Sequence, residues 1–347
     1  MRFPFRSGLC EVFGIAAAMV LVVTGSQADE QLRKRFLAEA PAAWEQYRAF
    51  ADDLVGSTET LREVNQQPRS RIRIEYKANL NCRMHRVIEL MPRKRADSRA
   101  DDELVSKNPH YTMKLGRKPP DGRWVLHQIA LTMPGKANPI NKDFFFDTTE
   151  LRCLIQINTE ALPALPKQAN FILVDVRWKD FEGERMAEIE FTNRHPLPGT
   201  PKGFFAIQGG KIILDPNRYW CVRTSDLICK YGGGYHDTVV KQYIELRKST
   251  GKFPIPKRRQ HSLFSKDKQF TVTDTTEYDL RERSNGPEDA DFYASAFGLP
   301  EPTGITAPAR SRWYLWFLGI GAVALGAGWY WRRRVLQHRA LTAILPN

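Results

Sequence analysis

The feature that most restricts the fold is a period-two alternation of apolar and polar residues, repeated along most of the chain. Ile72, Ile74 and Tyr76 alternate with Arg71, Arg73, Glu75 and Lys77. Ile172, Val174, Val176 and Trp178 alternate with Leu173, Asp175 and Arg177, and Ala187, Ile189 and Phe191 with Glu188 and Glu190. Phe270, Val272, Thr276 and Tyr278 alternate with Gln269, Thr271, Thr273 and Glu277. Successive side chains of a strand point to opposite faces, so such runs predict strands with one wet and one buried face, the mark of an antiparallel sheet. Further strands are predicted over Arg83–Leu90, Tyr111–Leu115, Trp124–Thr132, Leu151–Asn158, Phe204–Gln208, Lys211–Leu214, Trp220–Lys230 and Val239–Leu246. Phe181-Glu182-Gly183, Gly209-Gly210 and Asp215-Pro216-Asn217 supply turn signals between them. Strand–helix–strand alternation is absent, which disfavours a doubly wound sheet or a (β/α)₈ barrel.

One-sided strands need a cover, and the segment before them offers one. Trp44, Tyr47, Ala51 and Leu54 recur at helical spacing, Pro41 suits an early helix position or a kink between two helices, and Gly56 stands where a C-cap belongs. This predicts N-terminal helices over 29–66, with Trp44, Tyr47 and Leu54 forming a lid. The domain of strands then runs over 67–301, and the overall fold class is α+β, mainly β. Residues 92–122, with Arg93-Lys94-Arg95, Asp101-Asp102-Glu103 and Pro119-Pro120-Asp121-Gly122, read as exposed loop broken by one short strand.

Both ends carry apolar runs. Arg2 and Arg6, the run Val12–Val23 and the small residues of Ser26-Gln27-Ala28 form a secretory leader over 1–28. Trp313–Trp331 has no charge, is edged by Trp313, Tyr314, Trp316 and by Trp329, Tyr330, Trp331, and is followed by Arg332, Arg333 and Arg334. Its helix would cover about 28 Å, roughly one hydrocarbon core. The expectation is a stalk over 302–312, a transmembrane helix over 313–331 and a cytoplasmic tail over 332–347, hence a single-pass membrane protein with its bulk outside the cytoplasm. Gly319, Ala322 and Gly326 make one face of that helix small. This is either a seam for a homodimer or the ordinary Gly/Ala usage of membrane helices, since Gly321, Ala324 and Gly328 repeat the spacing.

The net charge is +13, and from Arg312 onward there are arginines and no acids. The exported part keeps a moderate positive balance. Export disfavours nucleic acid as a partner and points any basic patch at anionic lipid headgroups or wall polymers. Export also removes Cys10 with the leader and leaves Cys82, Cys153, Cys221 and Cys229 in an oxidising place. They form disulfides or remain buried thiols. On one continuous strand Cys221 and Cys229 would stand roughly 26 Å apart, so they pair with each other only if Thr224-Ser225-Asp226 turns. Cys82 and His85 with Cys221, Cys229 and His236 are a formal metal set. Their spacing is irregular and alternation sends Cys82 and His85 to opposite faces, so no metal is expected.

The motifs of phosphate loops, dinucleotide folds, serine elbows, zinc helices and Cys-x-x-Cys pairs are missing. Gly232-Gly233-Gly234 reads as a hairpin turn, and the strand acids fall on the wet face. No catalytic residue and no cofactor is assigned.

The order of segments, and several short motifs within it, resemble a known family. These are Ala40-Pro41…Trp44…Tyr47, then Ile213-Leu214-Asp215-Pro216-Asn217-Arg218-Tyr219-Trp220, then Tyr243-Ile244-Glu245 with Gly251-Lys252-Phe253-Pro254, and Phe297-Gly298-Leu299-Pro300-Glu301-Pro302. Together they resemble bacterial envelope proteins of the lipoprotein-carrier superfamily, LolA/LolB-like with RseB-like cousins, over about Asp29–Pro302. The resemblance implies a strongly curved antiparallel sheet, a half-barrel, plugged by helices, whose apolar hollow takes a lipid acyl chain or a lipidated protein. The four exported cysteines and the anchor depart from that pattern, and no binding residue is carried over. From the residues themselves, Ile72, Ile74, Ile172, Val174, Val176, Ile189 and Phe191 are expected to line the apolar side of the sheet. The expected role is a non-enzymatic binding domain for lipid or lipoprotein. An envelope sensor or protein-interaction scaffold is the alternative.

Overall fold

The computed structural model describes residues 9–91, 102–117, 122–132, 150–158, 160–168, 170–193, 205–231, 236–248, 251–265, 269–283, 286–309 and 313–342. One long helix, α1 (Leu9–Ala51), opens the chain. Six strands follow: β1 (Leu54–Val64), β2 (Gln67–Ala78), β3 (Arg83–Met91), β4 (Asp102–Lys107), β5 (Tyr111–Arg117) and β6 (Val125–Leu131). A short irregular stretch holds β7 (Gln156–Ile157) and β8 (Glu160–Ala161) between two 3₁₀ turns, Cys153–Ile155 and Leu165–Lys167. Then come β9 (Phe171–Phe181), β10 (Glu184–Asn193), β11 (Phe205–Asp215), β12 (Cys221–Tyr231), β13 (His236–Leu246), β14 (Pro256–Ser265) and β15 (Phe270–Glu282). Two 3₁₀ turns, Asp289–Phe292 and Ala294–Phe297, precede a last helix, α2 (Trp313–Thr342).

The strands outside the β7–β8 pair form one open sheet in the order β6-β5-β4-β3-β2-β1-β15-β14-β13-β12-β11-β10-β9. All its pairings are antiparallel. Nearly every connection joins neighbours in the sheet. β1 then closes on β15, with Leu54 opposite Glu282 and Val64 opposite Val272.

Several expectations are corrected. The fold is mainly β, not an α+β arrangement with N-terminal helices over 29–66. α1 runs unbroken through Pro41 and ends at Ala51, and Leu54–Val64 is a strand. The hydrogen bond that Pro41 removes is the one to the Leu37 carbonyl, and Leu37 lies on the exposed side of the helix. Gly56 caps nothing: it pairs with Tyr76 and Leu280, where a Cβ would stand 2.1 Å from the Asp279 carbonyl oxygen. Gly209 and Gly210 are not a turn either. They sit within β11 at φ +148° and +144°, where neighbouring backbone approaches too closely for a side chain. The segment 92–122 holds two strands, β4 and β5, rather than one, while its charged run 93–95 lies outside the described residues, as does Gly232–Gly234.

Among the described residues no helix is long and apolar enough to cross a membrane. This overturns the transmembrane helix over 313–331 and the single-pass localisation. It also leaves the membrane partner and a dimer through Gly319, Ala322 and Gly326 without support. The physical reason is dilution: four glycines and edge Trp and Tyr residues interrupt the run, and α2 continues into Arg332 and Arg333.

The disulfides are likewise absent: Cys82, Cys153, Cys221 and Cys229 are all free and buried. Cys221 and Cys229 stand near the two ends of the unbroken strand β12, with no turn at Thr224-Ser225-Asp226. Cys153 is on a 3₁₀ turn rather than a strand. Cys82 belongs to a different core from the other three. Burial pushes the Cys82, Cys153 and Cys229 thiols up to about 12, which makes them inert apolar filling.

Two cores lie on opposite faces of the sheet. The larger one packs Leu32, Phe36, Ala40, Trp44, Tyr47 and Ala51 of α1, with the 151–165 stretch, against β9–β13, β15 and Tyr76 of β2. The smaller one packs Cys82, Met84, Leu104, Tyr111, Met113 and Leu115 against Phe292, Tyr293 and Ala294. Met84 stands opposite Lys77, and Lys77 points away from Tyr76, so the second core is on the other face.

Candidate functional site

The residues predicted to line an apolar hollow do not share one environment. Val176, Ile189 and Phe191 are fully buried under α1, and Ile74 packs against the same core. Ile72 is half-buried, while Ile172 and Val174 are exposed. The cause is a β-bulge in β9. Glu190 faces Asp175 but Phe191 faces Leu173, which leaves Val174 as the extra residue. A bulge of one residue turns every side chain before it to the other face. Phe171 and Leu173 therefore pack inward and Ile172 and Val174 point out. Of the expected lid, Trp44 and Tyr47 lie on α1 and Leu54 on β1, all buried. Trp44 Nε1 donates to the Trp220 carbonyl at 2.9 Å, and Phe36 packs on both indoles. Gly319, Ala322 and Gly326 lie on α2, with nothing within 4 Å of a Cβ built on either glycine.

A prominent cleft lies elsewhere, where three connections meet: the β9–β10 turn, the β11–β12 turn and the β13–β14 loop. Its volume is about 690 Å³. Each part has a local cause. Glu182 takes the left-handed conformation at φ 54° ahead of Gly183, which closes the first hairpin. Asp215 builds the second turn by accepting from the Asn217 N–H at 3.0 Å, and burial raises its carboxyl pKa. Phe253 fixes the third, stacked between Phe50 of α1 and Tyr219.

The lining carries many charges: Glu182, Glu184, Arg218, Arg223, Glu245, Arg247, Lys248 and Lys252 face it. Arg223, 6% exposed, donates to Glu182 Oε2 at 2.6 Å and to the Ile244 carbonyl. Tyr243 donates to the other oxygen of Glu182 at 2.5 Å, and that bond raises the phenol. Arg218 pairs with Glu184 and Lys257 with Glu245. Arg247 is held by the Leu280 and Tyr278 carbonyls, both at 3.2 Å. Among the described residues no acid meets Lys248 or Lys252, and Lys252 lies over the Phe253 ring. Among the described residues no group of acids, Cys and His is placed to hold a metal.

A second, smaller cleft of about 260 Å³ lies on the face of the second core, lined by Glu75, Lys77, Arg86, Arg117, Trp124 and Phe297, among others. Its cations are braced from behind. Asp102, nearly fully buried, accepts from Arg86 at 2.7 Å and Arg117 at 2.6 Å. Those bonds overcome burial and hold its carboxyl below the usual range.

No family model matches the chain, and no curated protein matches it. Among solved structures it is similar to "Crystal structure of MucB in complex with MucA(peri)". That match has a TM-score of 0.21 and 10% identity, and covers 70% of this chain and 99% of that one. At that TM-score and identity it is a weak structural neighbour.

Sequence reading did not single out Arg223, Arg247, Lys248 or Lys252 as a site. Two of its turn signals, Phe181-Glu182-Gly183 and Asp215-Pro216-Asn217, do mark the cleft's walls. Gly251-Lys252-Phe253-Pro254, quoted there only for likeness, is its rim.

Proposed function

We infer that this chain is a binding module that recognises an acidic segment of a partner protein in the basic cleft at the β9–β10, β11–β12 and β13–β14 connections. The observation that carries this reading is the charge balance of the lining. Glu182, Glu184 and Glu245 are each engaged by a cation of the fold, whereas Lys248 and Lys252 meet no acid among the described residues. A carboxylate entering the cleft completes the pairs of Lys248 and Lys252, since Arg223 and Arg247 are already paired with Glu182 and Asp279. The acyl-chain reading has weaker support, because the α1 face that would hold a chain is filled by Trp44, Tyr47, Trp220 and Phe191.

The test is titration of the full chain with a poly-glutamate peptide and with poly-lysine, at low and at physiological salt. Poly-glutamate should bind, weakening with salt, and poly-lysine should not. The double variant Lys248→Glu, Lys252→Glu should lose about tenfold or more in affinity without a change in melting temperature. Equal binding by the variant would sink the reading.

A further inference from the structure

The two edges of the sheet are treated differently. β9 is guarded: α1 packs along it, Arg33 donates to the Leu173 carbonyl at 3.4 Å, and it carries Asp175, Arg177, Lys179 and Asp180 besides its bulge. Among the described residues β6 has none of that. Its seven residues, Val-Leu-His-Gln-Ile-Ala-Leu, include no Lys, Arg, Asp, Glu or Pro. Val125, Leu126 and Leu131 are 56%, 42% and 49% exposed. Uncharged, exposed edges are what natural sheets avoid unless another strand takes them.

The direction of the free backbone follows from the ladder. Thr132 donates back to His110 at 2.7 Å, so by antiparallel alternation Leu131 and Ile129 turn their N–H and C=O groups to the open side. The second cleft opens beside the start of this strand. Trp124, the residue before β6, stands edge-on to Phe297 at 5.7 Å, with Arg117 at 4.6 Å and Arg86 at 5.9 Å over its ring. Of the cations lining that cleft, Arg86 and Arg117 are held by Asp102 and Arg86 also by Glu75, while among the described residues no acid meets Lys77, which is left to take an incoming carboxylate. Trp and Arg in a braced pocket are the commonest anchors of an interface.

We propose that β6 receives an extended segment of a partner protein by strand addition, and that an acidic side chain flanking that segment seats in the Lys77–Arg117–Trp124 cleft. The charge argues for a partner over a second copy, because residues 122–132 contain no acid and a second β6 would leave the cleft unfilled. This surface is separate from the Lys248–Lys252 cleft, and its proposal does not rest on that one.

The probe is a peptide of alternating valine and threonine ended by a pair of glutamates, with a lysine-ended control, added to the full chain. Hydrogen exchange should slow at the Ile129 and Leu131 amides, and Trp124 emission should shift. The lysine-ended peptide and the surface variant Lys77→Glu should each bind about tenfold more weakly. Leu131→Pro removes an outward N–H without touching the β5–β6 ladder, so it should abolish binding while circular dichroism stays unchanged. No protection at β6, or equal binding by folded Leu131→Pro, overturns the proposal. So does a concentration-dependent doubling of mass that Leu131→Pro reverses, which would assign the edge to a second copy.

Discussion

The two cores of the sheet are held by different means. The core under α1 is mainly apolar and broad: aromatic rings from the helix meet aliphatic side chains from most of the sheet, and its polar links, Trp44 to the Trp220 carbonyl and Glu150 to Tyr278 and Arg259, are set within that area. The second core is small, and polar locks hold its covering segment. Ser106 and Asn108 donate to the Phe292 carbonyl at 2.8 and 3.3 Å, Asn79 donates to Asp289 at 2.7 Å, and Tyr111 donates to Glu301 at 2.5 Å. A large interface gains enough from burial alone, whereas a short 3₁₀ segment cannot and needs specific hydrogen bonds to stay in place. The comparison predicts that damage to the first core is global and damage to the second is local.

Trp44→Ala is the largest expected break. It empties the centre of the first core and removes the bond to Trp220, and should cost about 3–5 kcal/mol in urea or thermal unfolding. The loss should appear in every probe of the fold. A loss below about 1 kcal/mol would mean that α1 is an accessory and not the centre of the core.

How far this was legible in the sequence depends on what each residue's role rests on. Strand runs such as 72–78 and 184–193 were readable because alternation is local. The face was not. Val174 bulges out of β9 because of how β10 pairs with it, and nothing in Ile172-Leu173-Val174 marks that. Gly209-Gly210 looked like a turn because a close approach of Phe191 and Asp226 backbone is invisible until the strands are paired. Leu54 continued the helical spacing of Trp44 and Tyr47 by coincidence of period, whereas Thr58 and Thr60 belong to a strand. The cleft residues were missed for the same reason: Arg223, Arg247 and Lys252 come together only through three separate connections.

The rim of the first core contains an acid-sensitive group. His261 on β14 is mostly buried with its Nε2 unpartnered. Burial lowers its pKa to about 4, with Arg259 on its own strand and Arg62 of β1 pushing the same way and Asp274 of β15 opposing. The unfolded chain therefore binds a proton near pH 6.5 that the folded chain refuses until about pH 4. Stability from this group is complete above pH 6.5 and is lost as the pH falls through that window. The loss amounts to up to about 3 kcal/mol. Urea midpoints measured from pH 7 to pH 4 should fall for the native chain, and His261→Asn should flatten the profile. An unchanged slope in the variant would assign the acid sensitivity to carboxylates instead.

Tyr111→Phe sharpens the comparison with the smallest effect. The Tyr111 hydroxyl donates to Glu301 Oε2 at 2.5 Å and accepts from the Ala294 N–H at 2.7 Å, while Glu301 Oε1 accepts from the Ser295 N–H at 2.7 Å. Burial and the Glu301 carboxylate both raise the phenol, so it stays a donor across the working range. Removing one oxygen breaks both of its bonds and leaves the Ala294 N–H buried without a partner, a loss of about 1–3 kcal/mol. Because the second core is held by such locks, the loss should be confined to the 289–301 segment. Its amides should exchange faster while those of β10–β13 under α1 keep their protection. Uniform acceleration across the sheet would show that the two cores unfold as one unit, and that the polar locks serve the whole fold and not only the segment they touch.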